Sequence, residues 1–181
     1  MSRLPLIDRE SAPASVRPTL DAIHGAFGVT PNMFRAVANS PASLASMWGA
    51  FGALGGGTLG AQLGEQIAVA VADRNACNYC LAAHTALGRA AGVSAQDMRA
   101  AQAGTSTDPA TAAALRFALK LVDARGQASE VDVAAVRAAG FSDEAIVEIV
   151  AHVALNLFTN YVNVAFAVPV DFEPVALRKA A

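Results

Sequence analysis

Apolar residues recur at helical spacing along almost the whole chain, and polar residues collect in short stretches rich in Gly, Pro, Ser and Asp. Ala, Leu and Val dominate and strict apolar/polar alternation is scarce, a pattern that predicts an all-α domain without strands. Helices are expected to begin around Pro18 and Pro31, where proline suits the first turn, and again after Ser40-Pro41. Gly55, Gly56 and Gly57 predict a flexible break before a central pair of helices over roughly 60–74 and 78–91. Ser94 with Asp97, Asp108 with Pro109, and Ser129 with Asp132 mark three further helix starts. The last helix should run from about Ser142 to Ala165 and stop before Pro169.

A short repeat punctuates this pattern, RAAGVS at 89–94 and RAAGFS at 137–142. Each reads as a helix end with Gly92 or Gly140 in the left-handed position, an apolar Val93 or Phe141 packing back, and Ser94 or Ser142 capping the next helix. Two uses of one corner explain the repeat; an ancient duplication of a helical hairpin also would. No interdomain linker appears elsewhere, so residues 1–181 read as one domain with its core over about 20–168.

Composition changes the picture in two ways. The chain is 54% hydrophobic and 15% charged, against about 25% charged in average soluble proteins, which leaves little polar surface for a monomer and predicts a homo-oligomer. A formal charge of −2 without a Lys/Arg cluster argues against nucleic acid or an anionic membrane as partner. Asp8, Arg9 and Glu10 stand where an export signal would need its apolar centre. The most apolar segment, about 145–168, is interrupted by Glu148, His152, Asn156, Asn160 and Asn163, which argues against a membrane span. A cytoplasmic protein is expected, and in that compartment a close cysteine pair is more often catalytic or metal-binding than structural.

Both cysteines lie in NACNYCLAAH, residues 75–84. Asn75 and Asn78 predict a turn around Cys77, and the helix that follows carries Cys80 and His84. Spacings of three and four bring Cys77, Cys80 and His84 onto one helix face. The free N–H groups and positive dipole end of a first turn favour a thiolate, the reactive form of cysteine. Zinc is the first rival, but a structural site normally needs four ligands, and only His24 and His152 remain as further histidines. Two inert buried thiols are the other.

Glu65 lies in GEQIAVAVA, where its helical neighbours are Ala68, Val69 and Ala72. Apolar surroundings would raise its pKa and let it pass a proton near neutral pH; a solvated position near a helix start is the alternative. On the last helix His152, Asn156, Thr159, Asn160 and Asn163 share one narrow sector. This stripe is expected to meet another helix or another subunit, a structural or interface role in preference to lining the active site. Trp48 and the phenylalanines read as core or interface residues.

The order Glu65, eleven residues, Cys77, two, Cys80, three, His84 resembles the active-site signature of the alkylhydroperoxidase D family within the carboxymuconolactone decarboxylase superfamily. TPNMFRAVANSP at 30–41 looks like the lead-in helix of peroxidase-related members, and ALNLFTNYVNVAF at 154–166 like their final helix. The resemblance implies an all-helical, oligomeric fold, trimeric or hexameric, and thiol peroxidase activity without a cofactor. Its substrate would be an organic hydroperoxide or hydrogen peroxide, and its reductant a dithiol on a lipoyl- or thioredoxin-like protein. By position it implies Cys80 as the attacking thiol, Cys77 as the resolving one, and Glu65 with His84 as the proton relay. The best-studied members place a second relay histidine immediately before the second cysteine; here that residue is Tyr79, a poor proton shuttle at neutral pH and at most a supporting residue.

Local arguments divide over which thiol attacks, since the helix start favours Cys77 and the histidine contact favours Cys80. The resemblance selects Cys80. Two other functions are compatible with the residues: a lactone decarboxylase, for which a thiol pair is superfluous, and a non-enzymatic redox sensor or oligomeric binding module whose disulfide toggles a surface.

Overall fold

A computed structural model describes residues 2–178, and among these it contains helices and no strand. After a 3-10 turn at Arg9–Ser11 come α1 (Arg17–Phe27), α2 (Asn32–Val37), α3 (Pro41–Gly55), α4 (Gly60–Arg74), α5 (Asn78–Ala90), α6 (Ala95–Gln102), α7 (Pro109–Asp123), α8 (Glu130–Ala138) and α9 (Asp143–Ala165). The all-α expectation holds. The serine and aspartate starts are real caps: Ser94, Asp108, Ser129 and Ser142 each accept the backbone N–H three residues on, and Ser129 with Asp132 forms a reciprocal capping box. Both copies of the repeated corner form as expected, with Gly92 at φ +92° and Gly140 at φ +99°.

Two local expectations are corrected. Pro31 caps α2 from outside instead of occupying its first turn. The triple-glycine break is a held loop and not a loose one. Glu148 of α9 reaches across to accept the N–H groups of Thr58 and Leu59 and the Thr58 hydroxyl at 2.8–3.1 Å, and the space beside Gly57 is filled by that carboxylate.

The hairpin of α4 and α5 is the centre of the domain. From Ile67 to Ala72 every residue of α4 is buried, because α5, α6, α7 and α9 pack around it. Small side chains let these neighbours approach closely. At Gly88 of α5 an added Cβ would stand 3.2 Å from the Glu65 Cβ of α4 and 2.6 Å from the Met98 thioether of α6. By length and composition α9 could cross a membrane, but here it is a core helix packed against α2, α3, α4, α5, α7 and α8. Phe27, Phe34, Trp48 and Phe51 stack beside this core with ring centroids 5.8–6.3 Å apart, as the core reading of the aromatics expects.

Both ends of the chain are tied back. Arg3 donates its N–H to the Phe166 carbonyl and its guanidinium to the Ala165 carbonyl, serving the free carbonyls at the end of α9. The extended segment after α9 returns past the α4–α5 corner, where Asp171 accepts the Asn32 N–H and Arg178 pairs with Asp73.

Candidate active site

The α4–α5 corner is built on strained backbone. Ala76, a non-glycine residue at φ +53°, reverses the chain so that the Cys77 N–H bonds the Ala72 carbonyl at 2.9 Å. Cys77 then becomes the N-cap of α5, its sulfur accepting the N–H of Cys80 at 3.2 Å. Cys80 occupies the first turn, and His84 follows one turn later on the same face.

The structure brings all four predicted residues together. His84 Nδ1 lies 2.7 Å from Glu65 Oε2, linking α5 to α4, with the two side chains 11% and 22% exposed. Burial lowers the His84 pKa, but the charge and hydrogen bond of Glu65 outweigh it, and the thiolate form of Cys80 adds to them; the imidazole is held above its ordinary value. The sequence expectation of a carboxylate facing apolar groups alone is corrected, since Glu65 has an ion-pair partner across the hairpin.

Both thiols are free and buried, and their environments separate them. For Cys80, burial alone would raise the pKa. The Cys77 thiol, the His84 charge and the amides of Asn163 and Asn160 more than compensate and bring it down to about 7. Cys77 moves the other way, raised first by its hydrogen bond to Cys80 and then by burial. The pair therefore ionises at Cys80 while Cys77 keeps its proton. This is the opposite of the simple helix-dipole argument: the backbone N–H that Cys77 accepts does lower its pKa, but its hydrogen bond to Cys80, burial and the Cys80 charge outweigh that, whereas Cys80 faces the cation.

Cys80 also lines an apolar cleft, and Cys77 does not. Met33, Phe34, Phe51, Tyr79, His84 and Phe172 contribute walls to this cleft, whose volume is about 40 Å³. On the other side of His84 lies a separate cavity of about 150 Å³, more polar, where Glu65 and His84 meet His152 and Asn156 of α9. A larger surface groove of about 450 Å³ between Val37, Phe158, Tyr161 and Phe166 holds no thiol, acid or imidazole. Among the described residues no three His, Cys, Asp or Glu side chains are arranged to hold one metal ion.

Tyr79 does not substitute for a relay histidine. It is 4% exposed, its hydroxyl accepts the Met33 N–H at 3.2 Å, and its ring meets Phe172 edge-on at 5.7 Å. Burial raises its pKa, so it stays protonated and anchors the start of α2 and the C-terminal segment beside the cleft.

The polar stripe of α9 is also corrected. It faces inward to the site: Asn163 Nδ2 donates to Cys80 Sγ at 3.1 Å, and Asn160 Oδ1 accepts Asn75 Nδ2 at 2.9 Å. The sequence signal was present, since buried amides on an otherwise apolar helix require a partner. The register of α9 against α5 was not.

Comparison with known proteins agrees with this fold. Residues 41–124 match the model of the carboxymuconolactone decarboxylase family. No curated protein matches the chain. Among solved structures, a peroxidase-related protein from Silicibacter sp. TM1040 is 27% identical, with 97% of this chain and 92% of that one covered and a TM-score of 0.81. A peroxidase-related protein from Ralstonia eutropha JMP134, described as an alkylhydroperoxidase AhpD core, is also 27% identical over 94% of this chain and 92% of that one, with a TM-score of 0.83. The debrominase Bmp8, solved as a cysteine-to-alanine variant with 2,3,4-tribromopyrrole, shares the fold at 21% identity, with 94% and 92% covered and a TM-score of 0.80. Residues 41–124 thus carry the match to the carboxymuconolactone decarboxylase family, and the chain as a whole has the fold of these peroxidase-related, alkylhydroperoxidase D-like structures.

Proposed function

We propose that the protein is a thiol-dependent hydroperoxide reductase in which Cys80 attacks and Cys77 resolves. The observation that carries this reading is the asymmetry of the thiol pair. Cys80 lines the cleft and has the cation and the amide donor that favour an anionic sulfur, and Cys77, three residues earlier, keeps a proton.

The cycle follows from that arrangement. The Cys80 thiolate attacks the distal peroxide oxygen; an S–O bond forms, the O–O bond breaks, and the departing alkoxide takes a proton from His84, which Glu65 holds in place and charged. Cys80 is then a sulfenic acid. The Cys77 sulfur displaces its oxygen as water, which carries away the Cys77 proton, and a disulfide results. Two electrons and two protons from an external dithiol, of the lipoyl or thioredoxin-like kind, restore both thiols.

The cleft volume bears on substrate. About 40 Å³ beside Cys80 has room for a peroxide group, with any carbon chain lying toward the mouth. Exposed Val147, Tyr161 and Val164 on the outer face of α9 support the expected self-association.

The test is steady-state consumption of hydrogen peroxide and of short organic hydroperoxides with a panel of dithiol donors. Cys80→Ser should abolish consumption with the fold retained. Cys77→Ser should give one turnover and a sulfenic acid that dimedone traps. Unchanged rates in Cys80→Ser exclude the mechanism, and sustained turnover in Cys77→Ser excludes its resolving role.

A further inference from the structure

We infer that Asn163 and Asn160 form an amide cradle that holds the Cys80 sulfur as a thiolate, so that α9 supplies the thiolate's hydrogen-bond donors while α4 and α5 supply its counter-charge. The purpose of the cradle rests on the reading of Cys80 as the attacking thiol; its existence does not.

Three observations converge. Asn163 is 3% exposed, and its Nδ2 donates to Cys80 Sγ at 3.1 Å, a close approach for a bond to the larger sulfur atom. Asn160, one turn earlier and fully buried, has its carbonyl oxygen engaged by Asn75 at 2.9 Å, which turns its amide N–H groups the other way, and these find no other acceptor among the described residues. That amide favours the ionised form of Cys80. A thiolate accepts several hydrogen bonds, whereas a neutral thiol accepts weakly, so one buried donor bonded to the sulfur and a second, unpartnered amide one turn away match the anion and not the acid.

The cost of leaving these groups unused sharpens the argument. A buried polar atom without a partner costs free energy, and the Asn163 Oδ1 and Asn160 Nδ2 atoms have none among the described residues. Donors fixed on a core helix also need no rearrangement when charge develops on the sulfur. The helix end is pinned by the Asn163 carbonyl, which accepts the Val168 N–H at 3.0 Å, and by Arg3. Asn163 touches the reacting atom and is therefore a catalytic residue; Asn75, which orients Asn160, is a positioning residue.

The test is the pH dependence of iodoacetamide alkylation in a Cys77→Ser background, where Cys80 is the sole thiol. Asn163→Leu should move the midpoint up by about one to two pH units, the size expected for losing one charge-assisted hydrogen bond. The near-isosteric Asn163→Asp, which lacks the donor, should move it at least as far and keeps the test intact if the leucine variant does not fold. Asn160→Leu should move it up by a smaller step. Thr159→Val, in the same buried stripe but bonded only to its own helix, should leave it in place and reports any general effect of disturbing α9. An unchanged midpoint in folded Asn163→Leu or Asn163→Asp overturns the inference. A downward shift in Asn163→Leu also overturns it, because that sign requires Oδ1 to face a thiol proton. Alkylation needs no peroxide, so a chain that shows the shifts but reduces no hydroperoxide loses the proposed function and retains the cradle.

Discussion

Glu65→Gln in a Cys80→Ser background isolates the ion pair that links the two central helices. The serine hydroxyl carries no charge, so Glu65 becomes the one anion acting on His84 across the hairpin. In the native site Glu65 lifts the imidazole above its ordinary value against the opposing effect of burial. A raised folded value stabilises the protein fully below the unfolded value, about 6.5 for histidine, and that contribution fades as pH rises through the folded value. Glutamine keeps the shape and an acceptor but no charge, so burial is left to dominate and the folded value should drop below the unfolded one. The variant should then lose stability as pH falls, the reverse slope. At 2.7 Å, with side chains 11% and 22% exposed, the pair is little screened, and a charge-assisted hydrogen bond of this kind contributes about 1.5–3 kcal/mol. Urea unfolding should show a loss of that size near pH 5.5 and less than about 1 kcal/mol near pH 8.5. With a urea slope of about 2 kcal/mol per molar, the midpoint falls by about 1 M at the lower pH. An equal loss at both pH values, or no loss at the lower one, would refute the pair as drawn.

Three further outcomes follow from other parts of the structure. Alkylation of native Cys80 should be half-maximal near pH 7 instead of the ordinary thiol value of about 8.5; because this folded value is depressed, the associated stability is present above the unfolded thiol value and is lost as pH falls through 7, and a midpoint above 8 removes the ionised-thiol argument. Tyr79→Phe leaves the buried Met33 N–H without its acceptor and should cost about 1–3 kcal/mol in urea unfolding with the Cys80 alkylation midpoint unmoved; a shifted midpoint would make Tyr79 part of the proton machinery. Gly88→Ala places a Cβ 2.6 Å from the Met98 thioether and 3.2 Å from Glu65 Cβ, so overpacking of about 1–3 kcal/mol should exceed the roughly 1 kcal/mol gained in helix propensity, and a more stable variant would contradict the close approach of α4, α5 and α6.

The choice of attacking thiol shows how local and tertiary forces compete. Within α5 alone, Cys77 holds the favoured end of the helix, and its sulfur does accept the Cys80 N–H. Three groups outside that turn reverse the preference: His84, charged because of Glu65 on α4, and the amides of Asn163 and Asn160 on α9. Proximity in sequence made the pair visible and left its polarity open.

Helix starts, the two glycine corners and the shared face of Cys77, Cys80 and His84 were legible in the residues themselves, because caps, left-handed turns and three- or four-residue spacings are set by interactions that close within one turn. The all-α class follows from the same short-range periodicity, and the spacing of Glu65 from the cysteines carried the resemblance to the family. The tertiary structure alone decided what Asn163 does, since its partner Cys80 is 83 positions away and the register of α9 on α5 depends on core packing summed over several helices. It also turned Tyr79 into an anchor, closed the glycine loop on Glu148, and made Cys80 the acidic thiol. Those outcomes depend on burial and on which charges and donors meet in a low-dielectric interior, quantities that exist only once distant segments have packed.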